Sequence, residues 1–196
     1  MWYKIKRIYQ WTNLVRPYRF EYSYDFSNGS TSKMQTDGWT WYSWASFNAD
    51  WIYCTWWHEY RVQPSGLSSI MSSANEIVFE ITYKKNWTQN ADYWCELCKD
   101  SSYDYNTWIY WNFQVIALFA WWTDLIGWTA TISNWWHTIK AVFDLKNKVV
   151  NYDFPWVKTQ TYSMTDWEIA NIRACNKIFV PQHTYSYIKT ISVKIK

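Results

Sequence analysis

Hydrophobic and polar residues alternate with a period of two along much of this chain. From Tyr18 to Phe26 every second residue is aromatic, and the residues between them are charged or small and polar. The same alternation recurs from Ile77 to Tyr83, from Ile139 to Leu145 and from Tyr185 to Ile195. Because the side chains of a strand point alternately to its two faces, these runs predict strands with one buried face. Together they favour an antiparallel all-β, sandwich-like fold.

Turn-forming residues separate the alternating runs. Ser27–Ser30 and Asp37–Gly38 each predict a turn, and hence at least one hairpin within the first forty residues. Lys146–Lys148 predicts the turn of another hairpin, and Gln63–Gly66 ends an earlier run. Between Trp51 and Val62 aromatic residues occupy both parities, which predicts one strand covered on both faces or presenting aromatic rings to a ligand.

A single segment has the signals of a helix. Thr165 is followed three residues later by Glu168, the spacing of a capping box, and Ile169, Ile172 and Cys175 have helical spacing. We therefore expect two or three helical turns near residues 165–175 and at most this one substantial helix.

Length, charge and composition limit the classes of function. The 196 residues suffice for one large β domain or two small ones. The net charge of +3 is too small to favour a nucleic-acid or membrane-surface partner. The longest apolar run, Val115 to Trp122, is too short to cross a bilayer, and no secretory signal is visible after Met1. Nineteen Trp and 17 Tyr beside only 4 Gly is an unusual balance for an evolved β protein, since turns and bulges commonly use glycine.

Four cysteines allow two disulfides or none. Cys54 and His58, together with Cys95 and Cys98, resemble a zinc-ligand set. However, in an extended strand Cys54 and His58 would lie roughly 13 Å apart, too far for one tetrahedral zinc ion. We therefore expect no metal and no cofactor.

Two carboxylates raise the alternative of a glycosidase. Glu59 lies within the aromatic run and Glu168 beside Trp167, and small jelly-roll xylanases combine such carboxylates with many aromatic residues. Glu168 is better explained as a helix cap. A carbohydrate-binding β-sandwich, with Trp51, Tyr53 and Trp57 as an exposed platform, and an artificial β protein without evolved function are further alternatives.

The stretch from Ala91 to Trp111 changes character twice. It begins as a strand that ends at Cys95, continues as a polar segment from Lys99 to Asn106, and resumes as a strand at Trp108. Tyrosine combined with Ser and Asn is typical of recognition loops, because Tyr offers a large contact area at low entropic cost. An ordinary polar hairpin loop is the alternative.

These residues also carry a resemblance to a known family. Ala91-Asp-Tyr-Trp-Cys95 resembles the Ala-Val-Tyr-Tyr-Cys of an antibody heavy-chain variable domain, and the third hypervariable loop follows that motif. Gly38-Trp-Thr-Trp-Tyr-Ser-Trp-Ala45 is similar to the Gly-Phe-Thr-Phe-Ser-Ser-Tyr-Ala of the first hypervariable loop. His137-Thr138-x-x-Ala141-Val142, Thr159-Gln-Thr-Tyr162 and Cys175-Asn176 resemble motifs of the first constant domain in the same order.

The resemblance implies the Fab portion of a heavy chain whose sequence is strongly altered. It implies a variable-like immunoglobulin domain over 1–120 and an incomplete constant-like domain over 121–196. It also implies a secreted, non-catalytic protein that pairs with a light chain and binds a protein antigen, with Cys95 and Cys175 as structural cysteines. The antigen-binding residues would be Trp39, Trp41, Trp44, Lys99, Ser101, Ser102, Tyr103, Asp104, Tyr105, Asn106 and Trp108.

The sequence also departs from that family. Residues 18–26 lack the first cysteine of a variable domain, and the glycines expected after Trp111 are absent. The predicted helix near 165–175 has no counterpart in a constant domain. The pairing of the disulfides and the strand count of the second domain therefore stay open.

Overall fold

The computed structural model describes residues 18–41, 46–48, 51–54, 60–85, 93–99, 107–111, 115–120, 123–129, 135–154, 158–180 and 186–196. The strands are β1 (Phe20–Asp25), β2 (Thr40–Trp41), β3 (Ser46–Asn48), β4 (Trp51–Cys54), β5 (Tyr60–Val62), β6 (Glu76–Lys85), β7 (Tyr93–Cys98), β8 (Thr107–Trp111), β9 (Val115–Ala120), β10 (Thr123–Thr129), β11 (Trp136–Asp144), β12 (Val149–Phe154), β13 (Lys158–Ser163), β14 (Lys177–Val180) and β15 (Ser186–Ile195). The helices are α1 (Thr31–Thr36), α2 (Leu67–Met71) and α3 (Asp166–Arg173).

The strands form two sheets. The eight-stranded first sheet has the order β13-β12-β11-β6-β15-β4-β3, and β1 pairs with β15 beside β4. The seven-stranded second sheet has the order β10-β9-β8-β7-β14-β5-β2. Among the described strands, all neighbours in the first sheet pair antiparallel. The same holds for all neighbours in the second sheet. The predicted antiparallel all-β fold is therefore confirmed. In the described part of the chain, no helix is long and apolar enough to cross a membrane.

The boundary expected at residues 120 and 121 does not separate the two sheets. β6 precedes this boundary and pairs with β11 and β15, which both follow it. In the second sheet, β14 lies between β5 and β7, although it follows both in sequence by a long interval. Each sheet thus contains strands from before and from after residue 120.

The core is built on the alternation seen in the sequence. Ile77, Phe79, Ile81 and Tyr83 of β6 are fully buried, and the intervening Glu80 and Thr82 are half-buried on the other face. The neighbouring β11 and β15 present buried Ile, Val, Ala and Phe residues in register with them. Each fully buried aliphatic or aromatic side chain contributes about 1.5–3 kcal/mol by leaving water.

The second sheet contributes to the same core. Tyr60 and Val62 of β5, Leu97 of β7 and Ile178 of β14 belong to one buried cluster with the inner face of the first sheet. The two sheets therefore share a hydrophobic core.

The predicted helix is present as α3, which begins directly after the predicted cap residue, Thr165. Thr165 Oγ1 accepts from the Glu168 backbone N–H at 3.3 Å, and Glu168 Oε2 accepts from the Thr165 backbone N–H at 2.6 Å. Glu168 is 7% exposed and also accepts from the Tyr162 hydroxyl at 3.1 Å. These bonds satisfy the carboxylate, so the interpretation of Glu168 as a cap is confirmed.

Two local predictions are wrong. The turns predicted at Ser27–Ser30 and Asp37–Gly38 are present, but they flank α1, whose cap is Ser30, and within residues 18–41 they do not join two paired strands into the expected hairpin. The single strand expected over residues 51–62 is split, because β4 pairs with β15 in the first sheet and β5 with β14 in the second. The buried residues of the two strands, Ile52 in β4 and Tyr60 and Val62 in β5, nevertheless share one parity.

Candidate functional site

Four of the predicted antigen-binding residues lie in the described part of the chain: Trp39, Trp41, Lys99 and Trp108. Trp39 is 2% exposed and packs against Tyr24 and Phe26, with ring centroids 5.2 and 5.6 Å away. Lys99 is exposed directly after β7. Trp41 and Trp108 lie on β2 and β8 of the second sheet, and their side chains fall outside the described part. The remaining predicted residues also lie outside it: Trp44, Ser101, Ser102, Tyr103, Asp104, Tyr105 and Asn106.

The two strands predicted on either side of the central polar segment are present. β7 and β8 pair antiparallel, with Leu97 opposite Thr107. β2 lies three strands away from β7 in the same sheet, roughly 14 Å at the usual strand spacing.

Cys98 and Cys175 are buried thiols and do not form disulfides. The Cys175 thiol lies after the end of α3 and donates to the Leu97 carbonyl at 3.3 Å, which links the helix to β7. Cys95 lies on β7, and its side chain falls outside the described part. Cys54 lies on β4 in the first sheet, whereas Cys95 and Cys98 lie in the second. The described residues contain no group of three or more His, Cys, Asp or Glu side chains able to hold a metal ion.

The residues proposed for a carbohydrate platform or a glycosidase are only partly described. Trp51 and Tyr53 lie on β4 without described side chains, and Trp57 and Glu59 lie outside the described ranges.

An open cleft lies where four adjacent strands of the first sheet reach the same end. Its volume is about 700 Å³. β1 starts there, β6 starts there, and β11 and β15 end there, as their registers show. We call it the strand-end cleft, and it is lined by Arg19, Asn75, Glu76, Asp144, Lys146, Asn147 and Lys196.

Backbone hydrogen bonds hold the rim of the strand-end cleft in place. Asn75 donates its N–H to the Lys196 carbonyl at 2.9 Å and accepts from the Leu145 N–H at 2.9 Å. The Arg19 N–H donates to the Ile195 carbonyl at 2.8 Å, and the Lys196 N–H donates to the Glu76 carbonyl at 2.9 Å. The lining side chains therefore project from a hydrogen-bonded scaffold, which lowers the entropic cost of ordering them around a ligand.

The carboxylates of the strand-end cleft are each held by a neighbour. Glu76 Oε1 accepts from Lys196 Nζ at 2.8 Å, and this bond raises the pKa of the Lys196 ammonium. Asp144 accepts from Asn147 twice, from the backbone N–H at 2.9 Å and from Nδ2 at 2.7 Å. These contacts fix the positions of both carboxylates along the cleft.

The cations of the strand-end cleft differ in how they are held. Arg19 donates to the Ser73 carbonyl at 2.8 Å and to Ser73 Oγ at 3.3 Å, two neutral acceptors. Lys146 is exposed on the turn between β11 and β12, and its side chain makes no ion pair with the described residues. Lys148, two residues on, has a positive φ of 59° and pairs with Asp166 at 2.7 Å, away from the cleft lining.

An aromatic ring borders the cations. The Tyr18 ring centroid lies 5.1 Å from Lys196 Nζ and 5.8 Å from Lys194 Nζ, within the range of cation–π interactions. The half-buried Tyr18 thus adds a flat apolar surface next to the polar lining.

Sequence reasoning missed this cleft. In the sequence, Lys146 and Asn147 appeared only as turn residues. Arg19 and Lys196 meet because β1 pairs with β15. The local sequence of either segment does not predict that two strands so distant in sequence will pair.

Comparisons with known proteins place the fold but not a family. No family model matches the chain, and no curated protein matches its sequence. The structure of a carbohydrate esterase from the Shiga toxin-encoding bacteriophage phi24B is similar over 89% of this chain and 97% of its own, with 16% identity and a TM-score of 0.57.

Binding domains of toxins are also similar. The binding domain of botulinum neurotoxin DC in complex with SialylT matches over 80% of this chain at 11% identity and a TM-score of 0.58. A receptor binding domain matches over 80% of this chain at 10% identity and a TM-score of 0.59. The chain spans only 42% of the length of each of these two proteins. At such identities the likeness establishes the fold alone.

The expectation of an immunoglobulin with disulfides is wrong. The similar structures are a carbohydrate esterase and binding domains of toxins, and the described cysteine side chains are thiols. The light chain and the protein antigen were expected from that resemblance alone.

Proposed function

We propose that this chain is a carbohydrate-binding domain without catalytic activity, and that the strand-end cleft holds the sugar. The observation that carries the proposal is the lining of the cleft, which combines amide, carboxylate and cationic side chains on one scaffold. The cleft is also large enough, at about 700 Å³, for a sugar of one or a few rings.

The lining suits the chemistry of sugar hydroxyls. A hydroxyl both donates and accepts hydrogen bonds, so it is best met by groups of both kinds. Asn75 and Asn147 offer amide donors and acceptors, the carboxylates of Glu76 and Asp144 accept, and Arg19 donates. The Tyr18 ring offers an apolar surface for the C–H face of a pyranose.

The structural likenesses support this proposal over antigen recognition. One similar protein is named as a carbohydrate esterase, and another was solved in complex with SialylT. The β fold they share with this chain is therefore compatible with sugar ligands.

The absence of a catalytic role is inferred from the lining and from the position of His137. Among the described residues, the lining of the strand-end cleft contains no His, Cys or Ser that could serve as a base or nucleophile. His137 lies opposite Tyr83, near the far end of β11 from Asp144 and roughly 23 Å from it at the strand rise per residue. Both cleft carboxylates are held by neighbours, which favours a positioning role.

A glycan-binding measurement tests the proposal. The purified chain should bind at least one class of oligosaccharide in a glycan array, with calorimetry confirming the interaction. Asn75→Ala should weaken that binding severalfold, because it removes an amide from the lining. Gln35→Ala is the matched control, since it removes an exposed amide from α1, which does not line the cleft.

Three results would contradict the proposal. The first is no binding to any glycan, and the second is equal weakening by Asn75→Ala and Gln35→Ala. The third is release of acetate from an O-acetylated sugar at a rate that the Asn75→Ala variant changes, which would identify the cleft as an esterase site.

A further inference from the structure

Three cationic and two anionic side chains of the described residues line the strand-end cleft, and they are not equally neutralised. Lys196 and Glu76 form an ion pair at 2.8 Å. The contacts of Arg19 go to Ser73, which is neutral, and Lys146 makes no ion pair with the described residues. Among the described lining side chains, Asp144 is the other carboxylate, and it accepts from the neutral Asn147. The described lining side chains therefore carry one more positive than negative charge.

From this arrangement we infer that the strand-end cleft selects sugars that carry a carboxylate, and that Arg19 and Lys146 bind this carboxylate. The inference rests on the proposed carbohydrate-binding function and names the substrate class of the same site. A uronic acid and a sialic acid share the required group, a carboxylate attached to a pyranose ring.

Arg19 is suited to this role by its geometry. The two contacts with Ser73 use two of its N–H groups and hold the guanidinium in place. Three of the five guanidinium N–H donors stay available, and they can meet a carboxylate in a planar, charge-assisted arrangement. Because Ser73 already orders the side chain, binding loses less rotamer entropy.

Lys146 supplies the second charge. It lies on a tight turn that is held to the residue before β6, because the Lys146 N–H donates to the Asn75 carbonyl at 3.3 Å. Its ammonium has three donors and no ion-pair partner among the described residues. Lysine binds as a point charge, so it adds attraction where Arg19 adds orientation.

Binding of matched oligosaccharides tests the inference. The ligands are a neutral oligosaccharide and three counterparts that differ only by a hexuronate, a terminal sialic acid or a sulfate ester. We expect one of the two carboxylated ligands to bind about tenfold more tightly than the neutral one at low salt, as a charge-assisted contact provides. Raising the salt should reduce this preference and leave neutral binding unchanged.

Two lysine variants provide the matched pair. Lys146→Gln should remove most of the tenfold preference, whereas Lys148→Gln should leave it unchanged, because Lys148 pairs with Asp166 and does not line the cleft. Arg19→Lys keeps the charge without the planar fork and should reduce the preference for carboxylate over sulfate. Circular dichroism of each variant checks that the fold is retained.

The possible outcomes separate this inference from the function on which it rests. Equal binding of neutral and carboxylated ligands, a preference for the sulfate ester, or equal effects of the two lysine variants would overturn the carboxylate inference while leaving carbohydrate binding intact. No binding of any of the four ligands, with a folded protein, would overturn both.

Discussion

At the scale of single residues, Tyr24, Lys33 and Asp37 form a polar cluster over buried aromatic rings. Asp37 Oδ2 accepts from Lys33 Nζ at 2.9 Å and from the Tyr24 hydroxyl at 2.8 Å. Below them the Tyr24 ring packs against Phe26 and Trp39, with centroids 4.9 and 5.2 Å away. The bonds from Lys33 and then Tyr24 lower the pKa of the Asp37 carboxyl. Burial, followed by the bond to Asp37, raises the pKa of Tyr24.

This cluster predicts a specific acid sensitivity. Since the pKa of Asp37 is lower in the folded protein than its ordinary value of 3.8, the ionised carboxylate stabilises the fold above that pH. The stabilisation is lost as the pH falls through the folded-state pKa. Asp37→Asn should therefore lower the melting temperature at pH 7, and its difference from the wild type should shrink below about pH 4.

The measurement is thermal unfolding followed by circular dichroism across that pH range. Glu21→Gln is the control, because it neutralises an exposed carboxylate on β1. A difference between Asp37→Asn and the wild type that stays constant down to pH 2 would show that the carboxylate does not act through its charge.

At the scale of elements, the capping box of α3 is the clearest case of a local signal that the structure reproduces. Thr165 and Glu168 satisfy backbone groups at the start of the helix, and the buried Ile169 and Ile172 anchor it to the core. Arg173 in the last turn donates to the Ala74 carbonyl at 3.0 Å and joins the helix to the segment before β6.

Thr165→Ala should destabilise the fold by about 1 kcal/mol, because it removes the side-chain cap and one hydrogen bond to the buried Glu168. Denaturant unfolding at neutral pH measures this change. Ser68→Ala removes an exposed hydroxyl from α2 and should have a far smaller effect. Equal destabilisation by the two variants would mean that the cap contributes little.

Elements with a complete local pattern could be predicted, and those without one could not. In β1, β6 and β11, hydrophobic and polar residues alternate, and α3 has a capping box. Both patterns are visible within a few consecutive residues. The short helices α1 and α2 have five or six residues, and their hydrophobic contacts, such as buried Met34 and Leu67, span too few turns to show a period. The change of sheet between β4 and β5 depends on which partners are available, and local sequence does not carry that information.

At the scale of the whole molecule, the interleaved sheets predict unfolding as one unit. The core cluster joins residues from β1 to β15, and β6 and β15 belong to the first sheet although they lie on opposite sides of residue 120. Circular dichroism and tryptophan fluorescence should therefore report the same midpoint in a denaturant titration. Two resolved transitions would indicate two independently folding halves, as the boundary at 120 and 121 predicts.

The candidate site depends on pairings between strands that are distant in sequence, and for this reason it could not be predicted from the sequence. Arg19, Asn75, Asp144 and Lys196 come together only through the pairings of β1, β6, β11 and β15. Each residue is unremarkable in its own segment. By contrast, the polar segment from Lys99 to Asn106 has a conspicuous composition, but composition does not determine which distant strands pair.

The position of β15 in the first sheet also has a consequence for synthesis on the ribosome. β6 needs β15 on one side, and Ser192 contacts Glu80 across a separation of 112 residues. At translation rates of about 5–20 residues per second, that edge of β6 waits on the order of ten seconds for its partner. During this interval the apolar face of β6 is exposed with an open edge, which is a template for intermolecular pairing. Slower translation between these two strands should therefore lower the soluble yield, and a chaperone that shields nascent chains should restore it.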